Sequence, residues 1–118
     1  MSKIKHHTKA RARIETGYNA AKQALYDEMM DDNGYVYCRG CDTTAGQITW
    51  SHRIPRSRRK DLIADKENID PMCHDCHEKV EAGKYDELLN GEDIKDYIEA
   101  NEPQLLQIKS LRKDNLAA

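Results

Sequence analysis

The sequence predicts an α+β fold in which a small core of strands and one helix, cross-linked through cysteines, lies between N- and C-terminal helices. Three observations carry this expectation. Four cysteines form two Cys-x-x-Cys pairs, Cys38/Cys41 and Cys73/Cys76, separated by the 31 residues from Asp42 to Met72. Apolar residues recur at helical spacing before the first pair and after the second, and alternate in the manner of a strand between them. With no Phe, 38% hydrophobic residues and 34% charged ones, the core is thin and a cross-link answers a need for stability.

In chain order, the sequence reads as one compact domain in three parts, residues 1–34, 35–83 and 84–118. From Lys9 to Met30 the residues Ile14, Tyr18, Ala21, Leu25 and Met29 recur every three or four positions and predict one helix with a single apolar stripe. Residues before about Thr8 lack that stripe and are expected to form a mobile basic arm. Asp32-Asn33-Gly34 is a stop and turn signal. Tyr35-Val36-Tyr37 reads as a short strand leading into the first knuckle, Thr44-Ala45-Gly46 as a loop, and Gln47–His52 as a second strand ended by Pro55. In that strand Ile48, Trp50 and His52 share one face. Arg56 to Glu67 is polar and reads as a loop with at most a short turn near Leu62-Ile63. A helix is expected from Cys73 to a stop at Gly83. Beyond it come a short helix with Tyr85, Leu88 and Leu89, another with Ile94, Tyr97 and Ile98, and a last one after Pro103 with Leu105, Leu106, Ile108 and Leu111.

No apolar run approaches the roughly 20 residues that span a bilayer, and the first residues lack the apolar stretch of a secretory signal. The expected setting is therefore cytoplasmic and reducing, where paired Cys-x-x-Cys motifs favour a metal over disulfides. Two such turns supply a tetrahedral zinc site on Cys38, Cys41, Cys73 and Cys76. The 31 residues between them exceed the roughly 15–20 of a simple zinc ribbon. A strand, His52, a basic loop and Asn68 occupy the surplus, which is the room a site built on the zinc scaffold needs.

The formal net charge of −2 conceals a division along the chain. Over residues 1–22, Lys3, Lys5, Lys9, Arg11, Arg13 and Lys22 face the single acid Glu15, and Arg53, Arg56, Arg58, Arg59 and Lys60 follow the second strand with no acid among them. Residues 61–102 hold fourteen acids against four lysines. Local patches, not net charge, create the field a polyanion meets, so a nucleic-acid partner is expected and a membrane is not. Two histidines stand beside the basic run. On a helix His77 points away from Cys76, and Glu81 shares its face, so the two could hold a divalent cation with positions left open for water or phosphate. His52, at a strand end, could take a proton from water.

Ser51-His52-Arg53-Ile54-Pro55, Glu67-Asn68-Ile69 and Met72-Cys73-His74-Asp75-Cys76-His77, in that order and with both knuckles in place, resemble the HNH endonuclease family. The likeness is to its zinc-bearing ββα-metal branch and to the small free-standing nucleases of phages and mobile elements. It covers roughly Tyr37 to Gly83. It implies a ββα-metal core, structural zinc, a catalytic Mg²⁺ or Mn²⁺, and hydrolysis of DNA phosphodiesters by a monomer or homodimer inside a host cell. By resemblance, His52 is the general base, Asn68 its orienter and His77 the metal ligand, with Glu81 and Ser51 as weaker candidate ligands. Arg53, Arg56, Arg58, Arg59 and Lys60 would position phosphates, and Lys9, Arg11 and Arg13 would add affinity through counterion release. The family commonly has Asp or His where Ser51 stands. A neutral hydroxyl there keeps open an alternative, a catalytically silent zinc module that binds DNA or protein.

Overall fold

A computed structural model describes residues 2–44 and 47–109, and the side chains of all of these but 2–8. The fold is α+β, with helices and a two-stranded antiparallel sheet. Helix α1 spans Ser2–Met29, so the backbone expected as an arm before Thr8 is helical instead. Its stripe is the predicted one. Tyr18, Ala21 and Leu25 are buried against Ile63 and Ile69, with Ile14, Met29 and Trp50 packed around them.

After α1 the Asp31 carboxylate accepts the amides of Asn33 and Tyr35, each at 2.9 Å, and the Tyr37 hydroxyl at 2.8 Å. Gly34 takes the left-handed φ of 85° that this tight turn requires. Tyr35-Val36-Tyr37, expected as a strand, is irregular, because these side-chain bonds hold the segment where a strand partner would otherwise be needed.

Strand β1 is Ile48–His52, and it pairs antiparallel with β2, Ile69–Cys73, in the register Ile48↔Cys73, Trp50↔Pro71 and His52↔Ile69. The partner of β1 thus precedes the second knuckle, not the first. Pro71 disguises β2, since proline donates nothing to a ladder; in a two-stranded sheet every strand is an edge and tolerates it. The Pro71 carbonyl accepts the Arg39 amide at 2.9 Å, which draws the first knuckle onto β2.

Helix α2, His74–Ala82, follows β2 at once and ends at Gly83, whose φ of 77° is the left-handed cap. A Cβ there would also stand 2.8 Å from Cβ of Lys109. The Lys109 ammonium is buried against the last carbonyls of α2, Val80 at 3.4 Å and Glu81, so a cation meets the negative end of the helix. Helix α3, Gly91–Asn101, buries Ile94, Tyr97 and Ile98 as predicted. Residues 104–109 form α4, on which Leu105 is buried. Together with Ile54, Met72, Val80, Tyr85 and Leu88 they pack around Cys38 and Cys76. Tyr85–Glu87 is a 3-10 turn and Leu89 is 74% exposed, so the short helix expected there is reduced to one turn. Ala45, Gly46 and Leu111 lie outside the described residues, among which no helix is long and apolar enough to cross a membrane.

Candidate metal centre and histidine cleft

The two knuckles converge. The sulfurs of Cys38, Cys41, Cys73 and Cys76 all lie within 4.8 Å of one another, and Cys41 and Cys73 are 3.8 Å apart. A zinc–sulfur bond of about 2.3 Å gives a tetrahedron with an edge of about 3.8 Å, whereas a disulfide needs about 2.0 Å. The four cysteines could hold a zinc ion. The Gly40 amide points at Cys38 Sγ from 3.3 Å, and a Cβ on Gly40 would lie 2.8 Å from both Cβ and Sγ of Cys76, so the knuckle requires glycine here. Burial raises the Cys38 thiol, but amide bonds from Cys73, Cys41 and Gly40 outweigh it and bring the thiol below its usual range. Cys76 is pushed far up, by burial first and then by the neighbouring sulfurs. Four adjacent thiols cannot all ionise without a cation among them, which is the condition a divalent metal satisfies. His74, which follows Cys73 and opens α2, is 77% exposed and lies 2.9 Å from Glu78.

Next to this centre a cleft of about 450 Å³ is lined by Tyr18, Trp50, His52, Arg56, His77 and Glu81, among others. Its two histidines are wired in complementary ways. The Thr49 hydroxyl donates its one hydrogen to the Met72 carbonyl at 2.9 Å and therefore accepts from His77 Nδ1, also at 2.9 Å. Neutral His77 then carries its proton on Nδ1 and presents a lone pair on Nε2, the nitrogen that faces Glu81 Oε1 at 3.5 Å. This is how an outer partner prepares a metal-binding histidine.

His52 is the converse. Its Nε2 lies 3.0 Å from the Ile63 carbonyl, which can only accept, so the proton sits on Nε2 and the lone pair on Nδ1. The ring is half-buried and stands 5.0 Å from the Tyr18 ring. Burial lowers its pKa, the Ile63 bond opposes this, and the positive charge of Arg56 adds to the lowering. A histidine of that kind is neutral at physiological pH and able to accept a proton.

Asn68 pins the loop that carries the Ile63 carbonyl, through the neighbouring Leu62. It is fully buried; its Oδ1 accepts the Ile54 amide at 2.7 Å, and its Nδ2 donates to the carbonyls of Ile54 at 3.2 Å and Leu62 at 3.0 Å. Both ends of the loop between β1 and Ile63 are thereby pinned to one side chain. Asn68→Ala would strand these groups at roughly 1–3 kcal/mol each, so the expected loss of stability in urea denaturation is about 3 kcal/mol or more. A loss below about 1 kcal/mol would show that the loop holds itself.

Other predicted site residues have duller positions. Arg53 is engaged by an acid: its guanidinium binds the buried Asp70 twice, at 2.9 and 3.0 Å, beside Arg39 at 2.7 Å. Arg56 pairs with Glu15 and Arg58 with Glu102 at 3.9 Å, because elements distant in sequence fold their acids onto the basic run, while Arg59 pairs with the neighbouring Asp61 at 2.7 Å. Of the five cations, only Lys60 has no ion pair among the described residues. Lys9, Arg11 and Arg13 are exposed on α1. Ser51 is buried at 1% exposure, and its hydroxyl has no hydrogen-bond partner among the described residues, so burial withholds it from an incoming ion. Thr49 went unnoticed in the sequence, although its place on the strand face opposite His52, two residues before Ser51, was a usable signal. Tyr18 was read only as core. Comparison with protein-family models, curated proteins and solved structures finds no match.

Proposed function

We propose that the chain is a zinc-bearing HNH endonuclease with a ββα-metal core, hydrolysing DNA phosphodiester bonds. Zinc would sit on the four cysteines, and a Mg²⁺ or Mn²⁺ ion on His77 Nε2 and Glu81. The observation that carries this reading is the opposed proton wiring of two histidines in one cleft: a lone pair on His52 Nδ1 for a proton, and one on His77 Nε2 for a cation. His52 takes a proton from water as the water oxygen attacks phosphorus and the opposite P–O bond breaks. Asn68 keeps the Ile63 carbonyl in register, so that His52 presents the correct nitrogen. A divalent ion, when bound, polarises the phosphate and offsets charge on the departing oxygen. Lys60, Lys9, Arg11 and Arg13 supply sequence-independent affinity.

The test is relaxation of supercoiled plasmid by purified protein with Mg²⁺ or Mn²⁺. Nicking that requires the ion supports the reading; intact plasmid at millimolar concentrations of both ions overturns it. The buried Ser51 hydroxyl favours a second reading, the silent zinc-binding interaction module, since the cleft then offers few side-chain ligands. Folded, zinc-loaded protein that binds DNA and never nicks it would select that alternative.

The pH dependence of nicking has a defined sign. His52 acts in its neutral form, and its pKa lies below the ordinary 6.5. Activity should therefore persist as pH falls through 6.5 and be lost only below it, as the folded-state ring protonates. An acid limb above that value in a rate–pH profile would mean that another group is the base.

A further inference from the structure

Two cavities meet at Arg56. One is the histidine cleft; the other, about 310 Å³, runs between α1 and the loop after β1, with Arg11, Glu15 and Lys60 on its walls. Arg56 and Ser57 line both, so the α1 groove leads into the cleft. Glu15, Tyr18 and Lys22 follow one another at spacings of three and four and share a face of α1. Two cations rest on the Tyr18 ring: Lys22 Nζ at 4.2 Å and Arg56 Cζ at 4.8 Å from its centroid, with His52 at 5.0 Å. Glu15 pairs with Arg56, while Lys22 has no ion pair among the described residues. A ring face attracts a cation by about 0.5–1 kcal/mol at exposed sites but does not neutralise it. One positive charge is thus left over beside Tyr18, whose side chain lines the cleft.

The Arg56–Glu15 pair is exposed, 41% at each side chain. Such a pair contributes about 0–1 kcal/mol, and a guanidinium fork donates to phosphate with the same bidentate geometry as to carboxylate. We propose that Arg56 and Lys22, carried on the Tyr18 ring, anchor a backbone phosphate of a DNA strand running from the α1 groove into the histidine cleft, and that Glu15 occupies Arg56 until that phosphate displaces it. The proposal rests on the nuclease reading and assigns to α1, outside the core that carries the family resemblance, one wall of the substrate site.

The experiment is fluorescence anisotropy of a labelled DNA duplex against a salt series without added Mg²⁺ or Mn²⁺, so that binding is read apart from cleavage. Glu15→Gln should tighten binding by about 2–5-fold, the displacement of one exposed pair. Arg56→Gln and Lys22→Gln should each make the log–log salt slope shallower by about 0.9. In the Arg56→Gln background the gain from Glu15→Gln should vanish, as coupled partners require. Glu28→Gln is the control: it removes the same charge from α1 at a carboxylate paired with Lys66 and should leave affinity near wild type. An equal gain from Glu28→Gln, a gain that survives loss of Arg56, or an unchanged slope in Lys22→Gln would each overturn the anchoring site. No duplex binding by any variant would overturn it together with the nuclease reading. The expected binding pattern without plasmid nicking would sink the nuclease reading alone.

Discussion

His52→Ala should lower plasmid nicking by roughly 10²–10⁴-fold while zinc content and DNA affinity stay near wild type. That range equals about 3–5 kcal/mol of transition-state stabilisation, at 1.36 kcal/mol per decade. The expectation follows from the bond to Ile63, which leaves Nδ1 with a lone pair and no further duty. His77→Ala should lose cleavage to a similar degree by another route, through weaker retention of the ion, so raising Mn²⁺ should restore part of its activity. No such rescue is expected for His52→Ala, because more metal does not replace a missing proton acceptor. Thr49→Val provides an internal check. It removes the hydroxyl that fixes the proton on His77 Nδ1, and it should raise the metal requirement by about 10–100-fold while leaving the acid limb of the pH profile in place. His52→Ala cutting at near wild-type rate would overturn the mechanism, whatever the behaviour of His77.

Removal of the zinc should unfold the domain. Structural zinc sites contribute about 10–16 kcal/mol at neutral pH, against a total stability of about 5–15 kcal/mol for an ordinary domain. The loss is therefore as large as everything that keeps the chain folded. Cys38 and Cys76 are buried within the main hydrophobic cluster, so the metal centre and the core are one structure. Strong chelation, or Cys76→Ser, should abolish the cooperative thermal transition seen by circular dichroism, and native mass spectrometry of the wild type should find one zinc per chain. A chelated protein that keeps its transition would rule out a structural metal.

Parts of this were open to reading from the residues alone, for a common physical reason. The α1 stripe, the knuckle turns, the α2 stop at Gly83 and the apolar face of α3 are encoded within a few residues of one another, by helical period, Cys-x-x-Cys spacing or left-handed glycine. The convergence of the two cysteine pairs was legible too, since four thiols in a thin-cored chain have one economical arrangement. The pairing of β1 with β2 was not. It joins segments separated by the basic loop, and Pro71 removes the alternation by which a strand is recognised.

The site divides along the same line. The candidate residues His52, Asn68, His77 and Glu81 could be named from type, order and helical spacing. Their proton states could not, because these depend on the Ile63 carbonyl and the Thr49 hydroxyl, brought close only by the fold. The basic run illustrates the point from the other side. Sequence alone determined that Arg53, Arg56, Arg58, Arg59 and Lys60 form a dense positive segment with no acid in it. Only the tertiary structure decided which of those charges meet a distant acid, by placing Asp70, Glu15 and Glu102 against Arg53, Arg56 and Arg58. An ion pair is a relation in space, and nothing in the spacing of one partner along the chain reveals the position of the other.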